Sequence, residues 1–239
     1  KNPQKFNEKL LKLKLENYDH NAQVKKCADK YAVREYVESK GFGYILNELI
    51  DVYDCVDDIN WNSLPNKFVM KWNFGSGYNI ICYDKSKLNE YEIKKKLKLW
   101  EREKYYLEYA EMQYKDVDKK IIIEKLLESE NGDFPADYKV YCFHGKAKAI
   151  LYISDRGTLN TKGVFFTTGW NYLGVADKKY KEPKYIPERP KSLDTMIAAA
   201  ESLSKDFPFV RVDFYYCNGE VIFGEMTFTP AGCHDVSHT

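Results

Sequence analysis

Arg211-Val212-Asp213-Phe214-Tyr215, a turn at Asn218-Gly219, and Phe223-Gly224-Glu225-Met226-Thr227-Phe228 make up the stretch on which the fold turns. Two runs rich in β-branched and aromatic residues flank an Asn-Gly dipeptide, the local signature of a tight hairpin. Side chains alternate along a strand, so Arg211 and Asp213 share one face of the first run. Glu225 and Thr227 share one face of the second, and a hairpin can bring the two faces together. Two carboxylates converging from neighbouring strands are hard oxygen ligands of the kind Mg²⁺ on a polyphosphate needs. Buried without a cation, they would repel at considerable cost. A pair of surface charges would leave the same trace.

Working outward, Leu193 to Ser204 reads as a helix ahead of this hairpin. Asp137-Tyr138-Lys139-Val140-Tyr141-Cys142-Phe143 reads as a further strand, turned by His144-Gly145 into Ala147 to Ile153. Alternation puts Asp137 and Lys139 on one face, an acceptor beside a cation. That suits ribose hydroxyls and a phosphate, and equally an exposed cross-sheet ion pair. Ile121-Ile122-Ile123-Glu124 is a buried strand continued by Lys125-Leu126-Leu127. Such a strand end can offer main-chain groups to an adenine edge, or can be a core strand with a charged end. Farther back, Phe68-Val69-Met70-Lys71, Gly75-Ser76-Gly77 and Asn79-Ile80-Ile81-Cys82 form a hairpin with a glycine loop at its tip. A lysine beside such a loop neutralises phosphate charge while bare backbone N–H groups donate to phosphate oxygens. It is not a Walker A loop, because no Gly-Lys-Ser/Thr follows.

The spacing of Phe6, Leu10, Leu11 and Leu13 predicts an amphipathic helix over Phe6 to Leu15. A polar link, Glu16 to Gln23, follows, and a second helix begins at Asp29 and ends at Gly41. Residues 45–56 are mixed in pattern and receive no assignment. A long charged helix runs from about Lys85 to Tyr106, with Lys94, Lys95, Lys96 and Lys98 on a solvated face. A hairpin, a helix, a strand, then antiparallel strands and a helix predict an α+β fold, not a parallel doubly wound sheet.

The 239 residues suffice for one large domain or two small ones. The 37 Lys and Arg nearly cancel the 36 Asp and Glu, so nothing global draws the chain to nucleic acid or to an anionic membrane. The 20 tyrosines favour a folded chain. Six scattered cysteines with no C-x-x-C pair read as reduced, buried thiols, and Cys233-His234 has no partner at zinc-ligand spacing. No stretch approaches the ~20 apolar residues of a membrane span and no signal peptide opens the chain, which therefore reads as cytoplasmic. The chain opens without Met and stops in a loop, leaving room for further residues at both ends.

In this order the patterns resemble the ATP-grasp superfamily, and within it the TupA-like branch named from teichuronopeptide biosynthesis. The likeness begins at Asn2-Pro3 with Phe6-Asn7-Glu8-Lys9-Leu10, then Ala28-Asp29-Lys30-Tyr31-Ala32-Val33-Arg34. It continues in Asp137-Tyr138-Lys139, Asp155-Arg156, Phe207-Pro208-Phe209-Val210-Arg211-Val212-Asp213 and Gly224-Glu225-Met226-Thr227-Phe228. The resemblance implies an α+β ATP-grasp fold, two subdomains clasping the nucleotide behind a helical N-terminal segment. The boundaries expected are 1–62 for that segment, 63–123 for the small subdomain with the glycine loop, and 124–239 for the large subdomain with the metal site.

By the same resemblance, Lys30 and Lys71 match the lysines that reach the ATP phosphates, and Gly75, Ser76 and Gly77 match the phosphate-covering loop. Glu124, Lys125, Leu126 and Leu127 match the hinge against adenine, and Asp137 the ribose-binding acid. Asp213 and Glu225 match the magnesium ligands, with Thr227 where many members carry Asn. Arg211 and Arg156 sit where basic residues approach the transferred phosphate. Relatives often carry His where this chain has Phe74. The reaction implied is ATP-dependent activation of a carboxylate as an acyl phosphate and its capture by an amine, on a small molecule or glycan precursor of a bacterial cell surface. Three alternatives stand beside it, one of them a binding module that has lost catalysis, against which Lys71, Asp213 and Glu225 argue. A glycosyltransferase would need an Asp-x-Asp site, for which Asp116-Val117-Asp118 has the spacing but precedes a strand instead of following one. A sugar kinase on the same fold would share the ATP half of the site.

Overall fold

Four short apolar runs pair into the first sheet: β1 (Leu49–Tyr53), β2 (Phe68–Trp72), β3 (Asn79–Cys82) and β4 (Ile121–Glu124). They are antiparallel in the order β1-β4-β2-β3. The α-helices among the described residues are α1 (Phe6–Glu16), α2 (Ala22–Ala28), α3 (Val33–Ser39), α4 (Glu90–Arg102), α5 (Tyr105–Glu108) and α6 (Leu193–Ser204). The second sheet has six strands: β5 (Ala136–Phe143), β6 (Lys146–Ser154), β7 (Lys162–Phe166), β8 (Tyr172–Ala176), β9 (Phe209–Cys217) and β10 (Glu220–Thr227). Its order is β10-β9-β5-β6-β7-β8, again antiparallel throughout. This computed structural model describes residues 2–129, 134–155, 158–176 and 186–233. The chain divides into one unit of Lys1–Asn17, Glu35–Leu46 and Leu127–Thr239 and another of Tyr18–Arg34 and Asn47–Leu126.

In the four-stranded unit, Phe68, Met70 and Trp72 point inward from β2 and are fully buried, as are Ile121, Ile122 and Ile123 of β4. Each such side chain stabilises the fold by about 1.5–3 kcal/mol relative to exposure. Trp72 also donates its indole N–H to the Leu97 carbonyl of α4 at 3.2 Å. The expected polar link before residue 23 holds the start of α2 instead. The Asn21 side chain accepts from the Gln23 and Val24 N–H groups, satisfying two donors of the first turn. The long helix expected from Lys85 is likewise broken. Asp84 caps a short 3₁₀ turn, Asn89 caps α4, and the chain leaves helical geometry at Glu103 before α5. Three of the lysines expected on a solvated face have partners: Lys94 and Lys96 lie over the Trp61 and Trp100 rings, and Lys98 pairs with Asp57 at 2.7 Å.

In the six-stranded unit, α6 packs across β5, β6 and β9. Met196, Ala199, Ala200 and Leu203 of the helix are fully buried, with Val140, Cys142, Val210, Val212 and Phe214 of the sheet. The Cys142 Sγ sits 3.7 Å from the Ala200 carbonyl, and burial pushes its pKa up to about 12, so it behaves as a small apolar side chain. Phe6 of α1 meets Phe143 and Phe209 edge-on. With one sheet face committed to α6, alternation leaves Asp137, Lys139, Arg211 and Asp213 on the other. All six cysteines are free thiols. Among the described residues no helix is long and apolar enough to cross a membrane.

Candidate functional site

The six-stranded unit carries a cluster of opposite charges on the sheet face away from α6. Register places Lys139 of β5 opposite Asp213 of β9, and Asp213 opposite Glu225 of β10. Arg211 stands opposite Thr227. Directly opposed residues share a face, so the five side chains converge. Regular alternation alone would not achieve this. Phe223 pairs with Phe214 on the buried face, and two residues later Glu225 would follow it there. A bulge at Gly224 shifts the register by one and turns Glu225 to the charged face. Gly224 is needed for this bulge: a Cβ there would fall 3.0 Å from the Asp213 carbonyl oxygen and 3.3 Å from the Tyr215 ring.

Asp213 is the hub of the cluster. The Arg211 guanidinium donates Nε–H to its Oδ1 at 2.7 Å and a second N–H to its Oδ2 at 2.8 Å. Lys139 Nζ donates to Oδ2 at 2.6 Å and lies 3.6 Å from Asp137. Burial works against the Asp213 carboxylate, but Arg211 and Lys139 outweigh it and hold its pKa below the usual range. Arg211, buried with it, is held protonated by the same pairing. Thr227 accepts from Arg211 at 3.2 Å and donates to Glu225 at 3.1 Å, while the Glu225 carboxylate stays 42% exposed. Asp137 is buried.

A hard divalent cation suits this donor set, which is oxygen throughout: Asp213, Glu225 and the Thr227 hydroxyl. Among the described residues no group of three His, Cys, Asp or Glu side chains is placed to hold a metal ion. The set is therefore two carboxylates and a hydroxyl, the small protein contribution that magnesium takes when phosphates and water fill its remaining positions.

In the four-stranded unit, Lys71 on β2 and Glu124 on β4 face the same way, and Lys71 Nζ lies 2.7 Å from Glu124 Oε2. At the hairpin tip, Gly75 and Gly77 take positive φ, +66° and +84°. A Cβ on Gly75 would meet the Tyr105 ring at 3.0 Å. Lys30 donates its Nζ to the Gly75 carbonyl and its backbone N–H to Asn73 at 2.9 Å. Ser76 completes the loop, and Phe74 before it is buried with Lys119 over its ring. At the expected hinge, Lys125 donates its N–H to the Glu48 carbonyl at 3.0 Å and accepts from Asn47 at 2.9 Å. Leu126 is buried, and the division between the units falls between it and Leu127.

Two groups escaped the sequence reading. Fully buried Asn73 donates to Asp29 at 2.7 Å and to the Asp118 carbonyl at 2.9 Å, and accepts from the Lys120 N–H at 2.9 Å. Asp29 in turn caps the Tyr31 and Ala32 N–H groups, and its burial raises its pKa. This network fixes the backbone of Lys30 against the base of the glycine loop. The other is Arg34, which meets Glu124 from a helix about ninety positions earlier. Nothing in a list of residues marks either contact in advance. Asp118 is ion-paired with Lys120 at 2.9 Å. Arg156 lies outside the described residues.

The family model of TupA-like ATPgrasp proteins matches this chain over residues 8–238. The chain belongs to the TupA-like ATP-grasp family. Its two antiparallel sheets with accompanying helices are the α+β ATP-grasp fold. Solved structures similar to this TupA-like chain include a D-alanine–D-alanine ligase of Bacillus anthracis complexed with ATP, 16% identical with a TM-score of 0.49. That match covers 85% of this chain and 55% of the other. The D-alanine–D-alanine ligase of Coxiella burnetii is 14% identical with a TM-score of 0.49, over 89% of this chain and 51% of that one. An L-amino acid ligase of Bacillus licheniformis is 13% identical with a TM-score of 0.48, over 85% and 41%. The TupA-like chain thus spans about half the length of these proteins. No curated protein matches it.

Proposed function

We propose that this TupA-like chain is an MgATP-dependent carboxylate–amine ligase that forms an amide through an acyl phosphate in bacterial cell-surface polysaccharide synthesis. The observation that carries the proposal is the bulge at Gly224, which turns Glu225 onto the face that holds Asp213, Arg211 and Thr227. A largely buried sheet face with three carboxylates (Asp137, Asp213 and the half-exposed Glu225), two cations and a hydroxyl is costly to build for stability alone. Its chemistry suits a metal–phosphate group.

In this proposal Asp213, Glu225 and Thr227 hold magnesium, and Arg211 stabilises the transferred phosphoryl group and the oxyanion that follows. Arg156 shares that task by its place in the sequence. Lys139 keeps Asp213 ionised and oriented. Lys30 and Lys71 offset phosphate charge, with the backbone of Gly75, Ser76 and Gly77 donating to phosphate oxygens. Residues Glu124 to Leu127 border the adenine, and Asp137 takes the ribose. Bound MgATP supplies the phosphoryl group; the chain's part is positioning and charge stabilisation, the main source of rate in phosphoryl transfer.

The test is isotopic. Carboxylate-¹⁸O sugar acids or amino acids are offered with amine acceptors and MgATP, and released phosphate is analysed by mass. A ligase moves one carboxylate oxygen into phosphate, because the activated acyl carbon keeps only the other. A stable phosphorylated sugar with unlabelled phosphate would replace the ligase by a kinase.

A further inference from the structure

Arg34 has no role in the site as the family resemblance describes it, yet it ends on the same carboxylate as Lys71. Its side chain is 17% exposed, with Nη1 3.4 Å from Glu124 Oε1 and Nη2 donating to the Asn47 carbonyl at 2.9 Å. Lys71 approaches the other oxygen, Oε2, at 2.7 Å. The Glu124 carboxylate, 9% exposed, is therefore shared between two cations.

The charges decide what this arrangement is for. Lys71 and Glu124 alone would form a neutral pair, whose field on a neighbouring anion falls off steeply. With Arg34 added, one negative and two positive charges leave a net charge of plus one. Arg34 is held by a carbonyl as well as by Glu124, so it stays in place if Lys71 turns away. We propose that Arg34 is a positioning residue: it neutralises Glu124 and thereby leaves the Lys71 ammonium its charge for a polyphosphate. The inference rests on the nucleotide-binding proposal above and adds a named source for the affinity.

A purely structural Arg34 would affect all ligands alike, whereas a charge effect grows with the number of phosphates. Binding of ATP, ADP and adenosine by calorimetry separates the two. Arg34→Met keeps the apolar stem and removes the charge. It is expected to weaken ATP binding by about 10- to 100-fold, the range of one charged hydrogen bond. ADP should lose less, and adenosine should be nearly unchanged. Arg34→Lys should retain most of the ATP affinity. The decisive variant is the double Arg34→Met/Glu124→Gln, which restores the net charge of plus one and should bind ATP more tightly than Arg34→Met alone.

If Arg34→Met fails to fold, Glu124→Gln alone carries the test: Lys71, relieved of its counter-charge, must keep the preference for ATP over adenosine, and loss of that preference overturns the inference. Normal ATP binding by Arg34→Met, or an equal loss for adenosine, would also overturn it while leaving the nucleotide proposal intact. An unaltered chain that binds neither ATP nor ADP would remove the nucleotide proposal and this inference together.

Discussion

Replacing Asp213 by Asn should cost this chain much of its stability, and the reason lies in how many charges the carboxylate serves. Three charge-assisted hydrogen bonds of 2.6–2.8 Å end on Asp213, two from Arg211 and one from Lys139. All three side chains are largely buried. An amide fits the same space but removes the counter-charge the two cations share, leaving Lys139 only Asp137 at 3.6 Å and Arg211 only Glu225 at 3.9 Å. Removing one partner of a buried ion pair typically costs about 3–5 kcal/mol, because the stranded charge stays desolvated. For a chain of this size each kcal/mol lowers the melting temperature by about 2–4 °C, so a fall of about 6–20 °C is expected. Differential scanning fluorimetry without nucleotide measures it directly. Adding Lys139→Met removes one stranded cation, and Asp213→Asn/Lys139→Met should regain part of the loss. A shift below about 2 °C for Asp213→Asn would refute the reasoning, since it would mean the cations find solvent at no cost.

Glu225 offers the cleaner probe of metal binding. Its side chain is 42% exposed, so Glu225→Gln should change stability by only about 0.5 kcal/mol yet abolish turnover, as a denaturation curve beside an ADP-release assay would reveal. Gly224→Ala should cost about 1–3 kcal/mol by chemical denaturation, because its Cβ would press on the Asp213 carbonyl oxygen at 3.0 Å. MgATP at a hundredfold excess over its dissociation constant should stabilise the chain by ~2.7 kcal/mol, and UDP-sugars by much less. The reverse order in a thermal-shift assay would favour a glycosyltransferase. Acid should also reveal Asp213. Its pKa is depressed in the folded chain, so its stabilisation is complete above the unfolded value of about 4 and is lost as pH falls through the folded value. Stability measured from pH 6 down to 2 should fall below about pH 4 in the unaltered chain and more gently in Asp213→Asn.

Much of this fold was legible because its strands and last helix are locally consistent. β3, β4 and α6 run over the residues that their apolar spacing predicts, and β9 and β10 flank Asn218-Gly219 as the dipeptide requires. Elements whose signal is a single polar cap were lost, such as α2 behind Asn21 and the break ahead of Asn89. β7 and β8 went unread, the first interrupted by Gly163 and the second by Gly174. At the candidate site, the pairing of Asp213 with Arg211 follows from their i, i+2 spacing on one strand. The contacts of Arg34 with Glu124 and of Asn73 with Asp29 join distant segments and depend on tertiary register. No local pattern encodes them.

The extra residue in β10 gives the strand a phase. Val221 and Phe223 are buried before it and Met226 after it, so the inward step is two residues up to Phe223 and three across Gly224. Deleting Gly224 itself would leave the faces as they are, with Phe223 and Met226 inward and Glu225 among the charges by plain alternation, whereas deleting one residue elsewhere in the strand would exchange them. Removing or adding residues in pairs would keep the faces apart. Away from Gly224, length variation along this segment is thus quantised in steps of two, and a frame-like rule, rather than side-chain chemistry, governs which insertions the strand tolerates.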